Sequence, residues 1–183
     1  MKKVLKNILI VLLGLALLGL LFFSYMGMFK TVKVTTKTVG PYTGVYEAHI
    51  GPYEQTSKTF DKVCATLKKA GIPKKRAIGV YYDNPQIVAK AKLHSDCGFI
   101  IDDKNLKAVK KLKNNELKVI TFKKSESLIV SFPIRNSFSY MIGPMKAYPA
   151  LMKTVRAKGY KTTNAFEIYD TKAIYFVMPI VKK

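Results

Sequence analysis

The sequence predicts an α+β protein, in which an N-terminal transmembrane helix precedes a pseudo-symmetric domain made of a duplicated β-α-β-β unit. A long apolar run occupies the N-terminus, and short strand patterns then alternate with two amphipathic helix patterns. The second half of the chain also repeats the first at a nearly constant offset. We expect an anchor over residues 1–30 and one domain over residues 31–183, with half-repeats at about 43–101 and 127–181 and both helices on one side of an antiparallel sheet.

The N-terminal run has the length and composition of a membrane-spanning helix. Lysines precede the uncharged, leucine-rich segment Asn7–Phe29. At about 1.5 Å per residue it extends roughly 34 Å, enough to cross the hydrocarbon core of a bilayer. A cleaved signal peptide is the alternative, but bulky residues between Phe23 and Lys30 occupy the place of a small-residue cleavage site. We expect an uncleaved single-pass anchor that contacts the lipid bilayer through residues 7–29. Lysines flank both of its ends, so the sequence does not decide on which side of the membrane the domain lies.

The charge of the chain favours anionic lipid over nucleic acid. The sequence has 32 basic and 11 acidic residues, and arginine occurs only at Arg76, Arg135 and Arg156. Base edges and phosphates are recognised best by the planar arginine fork, whereas a lysine-rich surface suits solubility or diffuse attraction to lipid. No helix-turn-helix, zinc or RNA-binding motif is present. We expect no specific nucleic-acid partner.

Cysteine and histidine are too few and too scattered for a metal centre. Cys64 and Cys97 lie in a predicted helix and a predicted strand, where we expect two free thiols, with a single disulfide as the alternative. His49 and His94 add no metal-ligand spacing. The sequence predicts no metal site and no cofactor.

The domain elements follow in the same order in both halves. The first half has strands at Val45–Ile50, Ala77–Tyr82 and Asp96–Ile101, and the second at Ser127–Phe132, Ala165–Tyr169 and Ala173–Ile180. A helix follows the first strand of each half, with apolar residues at i, i+3, i+4 and i+7 from Phe60 and from Tyr148, and it ends at Gly71 or Gly159. We expect the lysine-rich connector Lys104–Lys118 to be a plain solvated connector that can form a short surface helix, with a membrane-lying helix as the alternative.

The repeat can be written residue by residue. An offset of 88 residues places Phe60 on Tyr148 and Gly71 on Gly159. For the following strand we use an offset of 87, which places Val80 on Glu167 and Tyr82 on Tyr169. Two such modules are expected to pair into one domain.

Several of these segments resemble one known family. The segments Val45-Tyr46-Glu47, Gly51-Pro52-Tyr53, Gly79-Val80-Tyr81-Tyr82-Asp83-Asn84-Pro85, Tyr148-Pro149-Ala150-Leu151, Lys158-Gly159-Tyr160 and Phe166-Glu167-Ile168-Tyr169 resemble the GyrI-like small-molecule-binding domain, the effector-binding module of multidrug-responsive transcription activators. The resemblance covers roughly residues 31–182. It implies a cleft between two modules that binds hydrophobic, often cationic, ligands against a buried glutamate, at the position of Glu167.

A membrane helix before this domain is similar to the arrangement of an ER-phagy receptor and of bacterial membrane-anchored proteins. We do not expect the receptor's role, because its interaction motif lies in a long tail and this sequence ends after the last predicted strand. The membrane helix also takes the place of the activators' DNA-binding helices, so the resemblance does not imply transcription regulation.

Alternation along a strand selects the candidate site residues. Phe166 and Ile168 share one face of the last-but-one strand, and Glu167 and Tyr169 share the other. If the apolar pair packs on the helices, Glu167 and Tyr169 line an open face. The repeat then adds Val80 and Tyr82, so the predicted ligand-binding residues are Glu167, Tyr169, Tyr82 and Val80. The alternative is a solvated Glu167 paired with a lysine.

Three functional hypotheses follow from the sequence. The first is a membrane-tethered sensor or carrier of a small hydrophobic or cationic ligand, and the second is a membrane-tethered scaffold that recruits a protein partner. A hydrolase that uses Glu167 to activate water is the third and has the least support, so we assign no catalytic residues. The contiguous residues His94, Ser95 and Asp96 would point to alternate faces of a strand, which prevents a triad.

Overall fold

The chain is described by a computed structural model over residues 2–112 and 117–181. One long helix leads into an α+β domain, as the sequence predicted. The described part of this domain has nine strands and three α-helices, more than the six strands and two helices expected. The elements are α1 (Lys2–Tyr25), β1 (Val34–Val39), β2 (Tyr42–Ile50), α2 (Thr56–Lys69), β3 (Lys74–Tyr81), β4 (His94–Ile101), α3 (Leu106–Lys110), β5 (Lys118–Phe122), β6 (Ser125–Pro133), α4 (Ser139–Lys158), β7 (Lys161–Thr162), β8 (Phe166–Tyr169) and β9 (Ala173–Val181).

The strands form one antiparallel sheet in the order β1-β6-β9-β8-β3-β4-β2-β5, and the short β7 pairs with β9. Two β-α-β-β units are visible in this order: β2-α2-β3-β4 and β6-α4-β8-β9. They meet where β3 pairs with β8, at the middle of the sheet. The predicted duplication is therefore present, with its two halves related across the β3–β8 pair.

Both long helices of the domain pack on the same face of the sheet. Val63 and Leu67 of α2 are fully buried against the first unit, and Ile142 and Leu151 of α4 are buried against the second. Burial of each such side chain contributes about 1.5–3 kcal/mol, so these two contacts hold the helices in place.

The opposite face of the sheet is buried as well, because the sheet curls. Ile78, Val80, Phe166 and Ile168 form a separate apolar cluster on this face, and Phe122 of β5 packs against it. Strand β8 is therefore buried on both sides. Alternation of polar and apolar residues cannot tell which side of such a strand faces the helices.

Helix α4 begins earlier than its sequence pattern indicates. It starts at Ser139 and contains Pro144 and Pro149, whereas the predicted apolar pattern starts at Tyr148. Proline removes a backbone donor and normally ends a helix, which is why the first half of α4 was not predicted. Its buried residues Ile142 and Ala147 compensate through packing on the second unit.

The connector between the two units contains the short helix α3. Its Val109 is 4% exposed and belongs to the core beneath α2. The alternative of a membrane-lying helix is therefore wrong for this segment, because its apolar residue is already buried in the domain. Part of the connector, residues 113–116, lies outside the described residues.

Helix α1 runs directly into the domain. Met26 follows the last helical residue and is 4% exposed in the core beneath α4. Gly27 adopts a left-handed conformation (φ 84°), and the N–H groups of Gly27 and Met28 bond back to the carbonyls of Ser24 and Phe23. This glycine-terminated helix end turns the chain into the domain at once.

Of the described helices, α1 has the length and apolarity that a membrane span requires, with a mean hydropathy of 2.7. None of its 24 residues is buried against the domain. A signal sequence near an N-terminus meets the same criterion.

Candidate functional site

Glu167 and Tyr169 of β8 point towards the helices. In the antiparallel pairing, Glu167 lies opposite Gly79 of β3 and opposite Phe176 of β9, and Phe176 belongs to the core beneath α4. The expectation that Phe166 and Ile168 pack on the helices is wrong. These two residues fill the cluster on the other face, since the curled sheet supplies a second apolar interior.

Two tyrosine hydroxyls donate to the carboxylate of Glu167. Tyr148 of α4 bonds to Oε1 at 2.8 Å, and Tyr169 bonds to Oε2 at 2.7 Å. The hydroxyl oxygen of Tyr81 lies 2.7 Å from that of Tyr169. Because Tyr169 donates its proton to the carboxylate, Tyr81 acts as donor to Tyr169. Glu167 itself is 3% exposed.

Aromatic rings from both halves surround this network. The ring of Tyr53, just before α2, packs edge-on against Tyr81 with centroids 4.9 Å apart. The ring of Tyr169 lies 5.8 Å from Phe60 of α2 and 6.0 Å from Tyr140 of α4. The rings thus come from both the α2 side and the α4 side of the network. Tyr140 is its outermost member and is 50% exposed.

A turn at the end of β3 fixes the position of Tyr53. The Tyr53 hydroxyl lies 3.0 Å from the carbonyl oxygen of Asp83 and accepts the Asp83 N–H at 3.1 Å. The Asp83 carboxylate in turn accepts the backbone N–H of His94 at 2.6 Å and lies 3.0 Å from its Nδ1 atom. These bonds lower the pKa of Asp83. Asp83 therefore holds the turn, and His94 pairs with it.

Gly79 makes room for Tyr81. A Cβ atom at Gly79 would lie 3.0 Å from a ring carbon of Tyr81 and 3.3 Å from its hydroxyl oxygen. The tyrosine ring therefore lies across the glycine and reaches Tyr169 on the neighbouring strand. A larger residue at this position would push the ring away from the network.

Burial dominates the electrostatics of the site. Desolvation raises the pKa of Glu167 to about 7, although the bonds from Tyr169 and Tyr148 favour the charged form and lower it. Burial and the nearby Glu167 charge raise the pKa of Tyr81 and of Tyr148. Burial also raises the pKa of the Cys97 thiol, on the neighbouring strand β4, to about 12. The site therefore holds one carboxyl group that changes its charge near neutral pH.

Glu167 has no ion-pair partner among the residues that the structure describes. The other buried or half-buried carboxylate on this face, Glu47, pairs with Lys62 of α2 at 2.9 Å. The alternative of a solvated Glu167 paired with a lysine is therefore wrong, because its bonds go to tyrosines in a buried setting. Across residues 2–112 and 117–181, no group of three or more histidine, cysteine or acidic residues could hold a metal ion.

Cys64 and Cys97 are both free thiols. Cys64 is partly exposed on α2, and Cys97 is buried on β4. Of the two states that the sequence left open, the structure shows the unpaired one.

The structure separates the four predicted site residues into two pairs. Glu167 and Tyr169 lie together, as predicted. The placement of Val80 and Tyr82 beside them is wrong: Val80 lies in the opposite-face cluster, and Tyr82 is 44% exposed with its hydroxyl bonded to Asp96 at 2.6 Å. A shift of one residue along a strand moves every side chain to the other face, and the offset of 87 introduced that shift.

Sequence reasoning missed Tyr81, Tyr148 and Tyr53 as members of the site. The signal for Tyr81 was available, since the offset of 88 that relates the helices places Tyr81 on Tyr169. Tyr148 was assigned to the apolar face of its helix, which is correct for the ring, while its hydroxyl reaches the carboxylate.

Solved structures with the same fold define the class of domain. The C-terminal domain of EcmrR covers 83% of this chain and 99% of its own, with a TM-score of 0.63 and 15% identity. EcmrR bound to DNA in a transcription complex covers 99% of this chain and 70% of its own, with a TM-score of 0.62 and 13% identity. The domain therefore has the GyrI-like effector-binding fold. A hydrolase of Listeria innocua shares the fold at a TM-score of 0.50 and 11% identity, covering 87% of this chain and 98% of its own.

Two curated proteins are similar to the chain over nearly its whole length. Testis-expressed protein 264 of Homo sapiens is 27% identical in an alignment 181 residues long that covers 93% of this chain and 56% of the human protein. Its homologue in Mus musculus is 28% identical in an alignment 169 residues long that covers 88% of this chain and 53% of the mouse protein. The chain thus spans about half the length of these relatives. No family model matches the sequence.

Proposed function

We propose that the chain is a membrane-anchored binding protein whose domain takes up a small hydrophobic cation at Glu167, in a crevice that opens between α2 and α4. The observation that carries this proposal is the buried carboxyl group of Glu167, which is 3% exposed and bonded to two neutral tyrosines. An ionised carboxylate in such a place is expensive unless a positive charge accompanies it. A cationic ligand would supply that charge.

The surrounding rings suit the same ligand. Aromatic faces attract cations and contribute about 0.5–2 kcal/mol each where water is excluded. Five rings, those of Tyr53, Phe60, Tyr81, Tyr140 and Tyr169, pack around the carboxylate network. They also offer apolar surface for the hydrophobic part of the ligand.

Entry of the ligand requires a movement of the aromatic rings. Glu167 is covered in this structure, and Tyr140 is the exposed outer ring of the cover. Rotation of this side chain, at the first turn of α4, would open a route from solvent to the ring of Tyr169. The GyrI-like fold of the domain supports a ligand site at this crevice, and the apolar helix α1 supports a tether to the membrane.

Tetraphenylphosphonium is a suitable probe of this proposal, with neutral triphenylphosphine oxide as its uncharged control. The full chain is reconstituted in nanodiscs, and binding is measured by equilibrium dialysis against empty nanodiscs, which corrects for partition into lipid. We expect the phosphonium to bind and the Glu167→Gln variant to lose at least tenfold in affinity. Equal binding by the variant would refute the role of the carboxylate.

Two adjacent tyrosines provide a matched pair for the same assay. Tyr81 lies in the aromatic network, whereas Tyr82 is bonded to Asp96 on the other face. Tyr81→Phe should weaken phosphonium binding several-fold, and Tyr82→Phe should leave it unchanged. The opposite order would place the ligand on the wrong side of the sheet for this proposal.

A further inference from the structure

The solvent-facing side of α4 carries an apolar patch near the end of α1. Phe138, just before α4, is 47% exposed, and Met141 and Met145 are 56% and 61% exposed. Their spacing of three and four residues places them along one side of the helix, at the border of the buried face that Ile142 belongs to. We call these three residues the α4 patch. The patch has no partner among the described residues of the domain.

The α4 patch lies beside the apolar helix. The ring of Phe138 packs edge-on against the ring of Phe22, with centroids 6.3 Å apart. Phe22 is three residues before the end of α1 at Tyr25, so it lies about 4.5 Å inside that end. If α1 spans a bilayer, Phe138 is held at the depth of its last turn.

Several further contacts hold the domain against the end of α1. The Arg135 guanidinium donates to the carbonyl of Tyr25 at 2.8 Å, so a positive charge lies at the C-terminal end of α1. The side-chain amide of Asn136 lies 3.2 Å from the sulfur of Met26, which is buried in the core. The junction is therefore a packed contact, and the α4 patch cannot turn away from the plane in which α1 ends.

Basic residues frame the same end of the domain. Lys30 and Lys33 follow α1 directly and are exposed, and Arg135 lies at the junction. The backbone N–H of Ile134 bonds to the carbonyl of Lys172, which brings the β8–β9 turn and its lysine to this end. Lysine and arginine close to a membrane surface contribute about 1 kcal/mol each through attraction to anionic headgroups.

We propose that the α4 patch enters the headgroup and upper acyl region of the bilayer that α1 spans, so that the domain lies on the membrane with its crevice helix in contact with lipid. This inference rests on the proposed membrane anchor. Methionine side chains are flexible and apolar, and with an aromatic ring they suit the irregular boundary of a bilayer. Because α4 also carries Tyr140 and Tyr148, lipid-soluble ligands would reach the crevice from the membrane side.

The absence of tryptophan from the sequence makes the test direct. Single tryptophans are introduced in the full chain as Phe138→Trp, Met141→Trp and Met145→Trp, with Phe22→Trp as the marker of the anchor and Ile87→Trp as the exposed control. Ile87 is 81% exposed and follows the end of β3 farthest from the β8–β9 turn. The proteins are reconstituted in phosphatidylcholine–phosphatidylserine vesicles whose acyl chains carry bromine near the headgroup, which quenches nearby tryptophan.

Each outcome of the quenching experiment has one meaning. Quenching at positions 22, 138, 141 and 145 but not at 87 supports the proposal. Quenching at position 22 alone overturns it while the anchor remains, and would leave the α4 patch to a protein partner. Equal quenching at position 87 also overturns it, because the contact would then not be specific to the patch. No quenching at position 22 would refute the anchor itself.

Discussion

The hydroxyl oxygens of Tyr81 and Tyr169 lie 2.7 Å apart, and the two residues are 88 positions apart in the chain. The same offset relates the apolar positions of α2 and α4, so these tyrosines are equivalent residues of the two units. They meet where β3 pairs with β8, at the pseudo-twofold axis of the domain. The site is therefore built by both halves of the duplication.

The symmetry is broken at one position, and this break creates the site. Glu167 in the second unit corresponds to Gly79 in the first, and the two lie opposite each other in the sheet. Two carboxylates at this place would repel each other in a buried setting. The glycine instead leaves space for the Tyr81 ring, so the domain has one acid with one tyrosine donor to each of its oxygens.

The first prediction concerns the pH dependence of stability. Glu167 has an ordinary pKa of 4.5 and a folded pKa of about 7. Below about 4.5 the group is protonated in both the folded and the unfolded chain. Between these values the unfolded chain loses the proton first, so the free energy of unfolding falls as the pH rises, and it levels off above about 7. The difference corresponds to roughly 3 kcal/mol.

Glu167→Gln removes this titration. Relative to the variant, the wild-type domain should lose stability between pH 5 and pH 8, measured by chemical unfolding of the detergent-solubilised full chain with near-ultraviolet circular dichroism. If the free energies of unfolding of the two proteins differ by the same amount at pH 5 and at pH 8, the carboxyl group of Glu167 titrates normally.

The second prediction concerns the donors to the carboxylate. Tyr148→Phe keeps the ring and removes the hydroxyl that bonds to Oε1 of Glu167. Loss of a hydrogen bond to a charged group is worth about 1.5–3 kcal/mol, and it disfavours the ionised form. The variant should therefore be destabilised most above pH 7, and the carboxyl pKa should rise further, as followed by carbon-13 NMR of labelled glutamate.

Tyr175→Phe is the matched control for this change. Tyr175 lies on β9 and packs against the opposite face of the sheet. The Tyr175→Phe variant should show the same carboxyl resonance for Glu167, with the same pH midpoint of titration, as the wild type. A shift as large as that of Tyr148→Phe would mean that the resonance reports general destabilisation.

The third prediction concerns the glycine beneath Tyr81. Gly79→Ala should cost about 1–3 kcal/mol, because the added methyl overlaps the tyrosine ring. The cost should fall below about 1 kcal/mol in a Tyr81→Ala background, where the ring is absent. The free energies of unfolding of the wild type, the two single variants and the double variant give the coupling energy between positions 79 and 81. A coupling energy near zero would show that the added methyl group does not strain the Tyr81 ring.

The fourth prediction concerns the junction with α1. Arg135→Ala removes the bond to the Tyr25 carbonyl and should loosen the segment that follows it. Trypsin should then cut faster after Lys30 and separate the domain from α1, as seen on a denaturing gel. Arg156→Ala, near the far end of α4, is the control and should be cut at the wild-type rate. Equal rates for all three proteins would show that the bond from Arg135 does not hold the junction.

Much of the fold follows from the sequence because its signals are local. The apolar face of α2 and the glycines after both helices predict these elements, and the constant offset predicts their duplication. Strands β1 and β5 were missed, since each lies at an edge of the sheet, where β1 is rich in threonine and β5 has only five residues. Such strands depend on pairing with β6 and β2 rather than on an apolar pattern of their own.

The site could be predicted only in part, for a different reason. Glu167 and Tyr169 followed from the resemblance and from alternation along β8. The sequence did not predict which face of β8 packs against the helices, because curling of the sheet buries both faces of this strand. The packing that decides between the two faces is not encoded in any single segment. Tyr53 and Tyr148 reach the site from loops and helices distant in sequence, so local patterns do not connect them to Glu167.

The most direct measurement of the central claim is the pH dependence of tetraphenylphosphonium binding to the full chain in nanodiscs. With a carboxyl pKa of about 7, the ionised fraction rises about tenfold between pH 6 and pH 8, and the affinity for a cation should rise by the same factor. Triphenylphosphine oxide, and the phosphonium with Glu167→Gln, should show no such rise. Phosphonium affinity that is equal at pH 6 and pH 8 in the wild-type protein would contradict the assignment of Glu167 as the acid that meets the ligand.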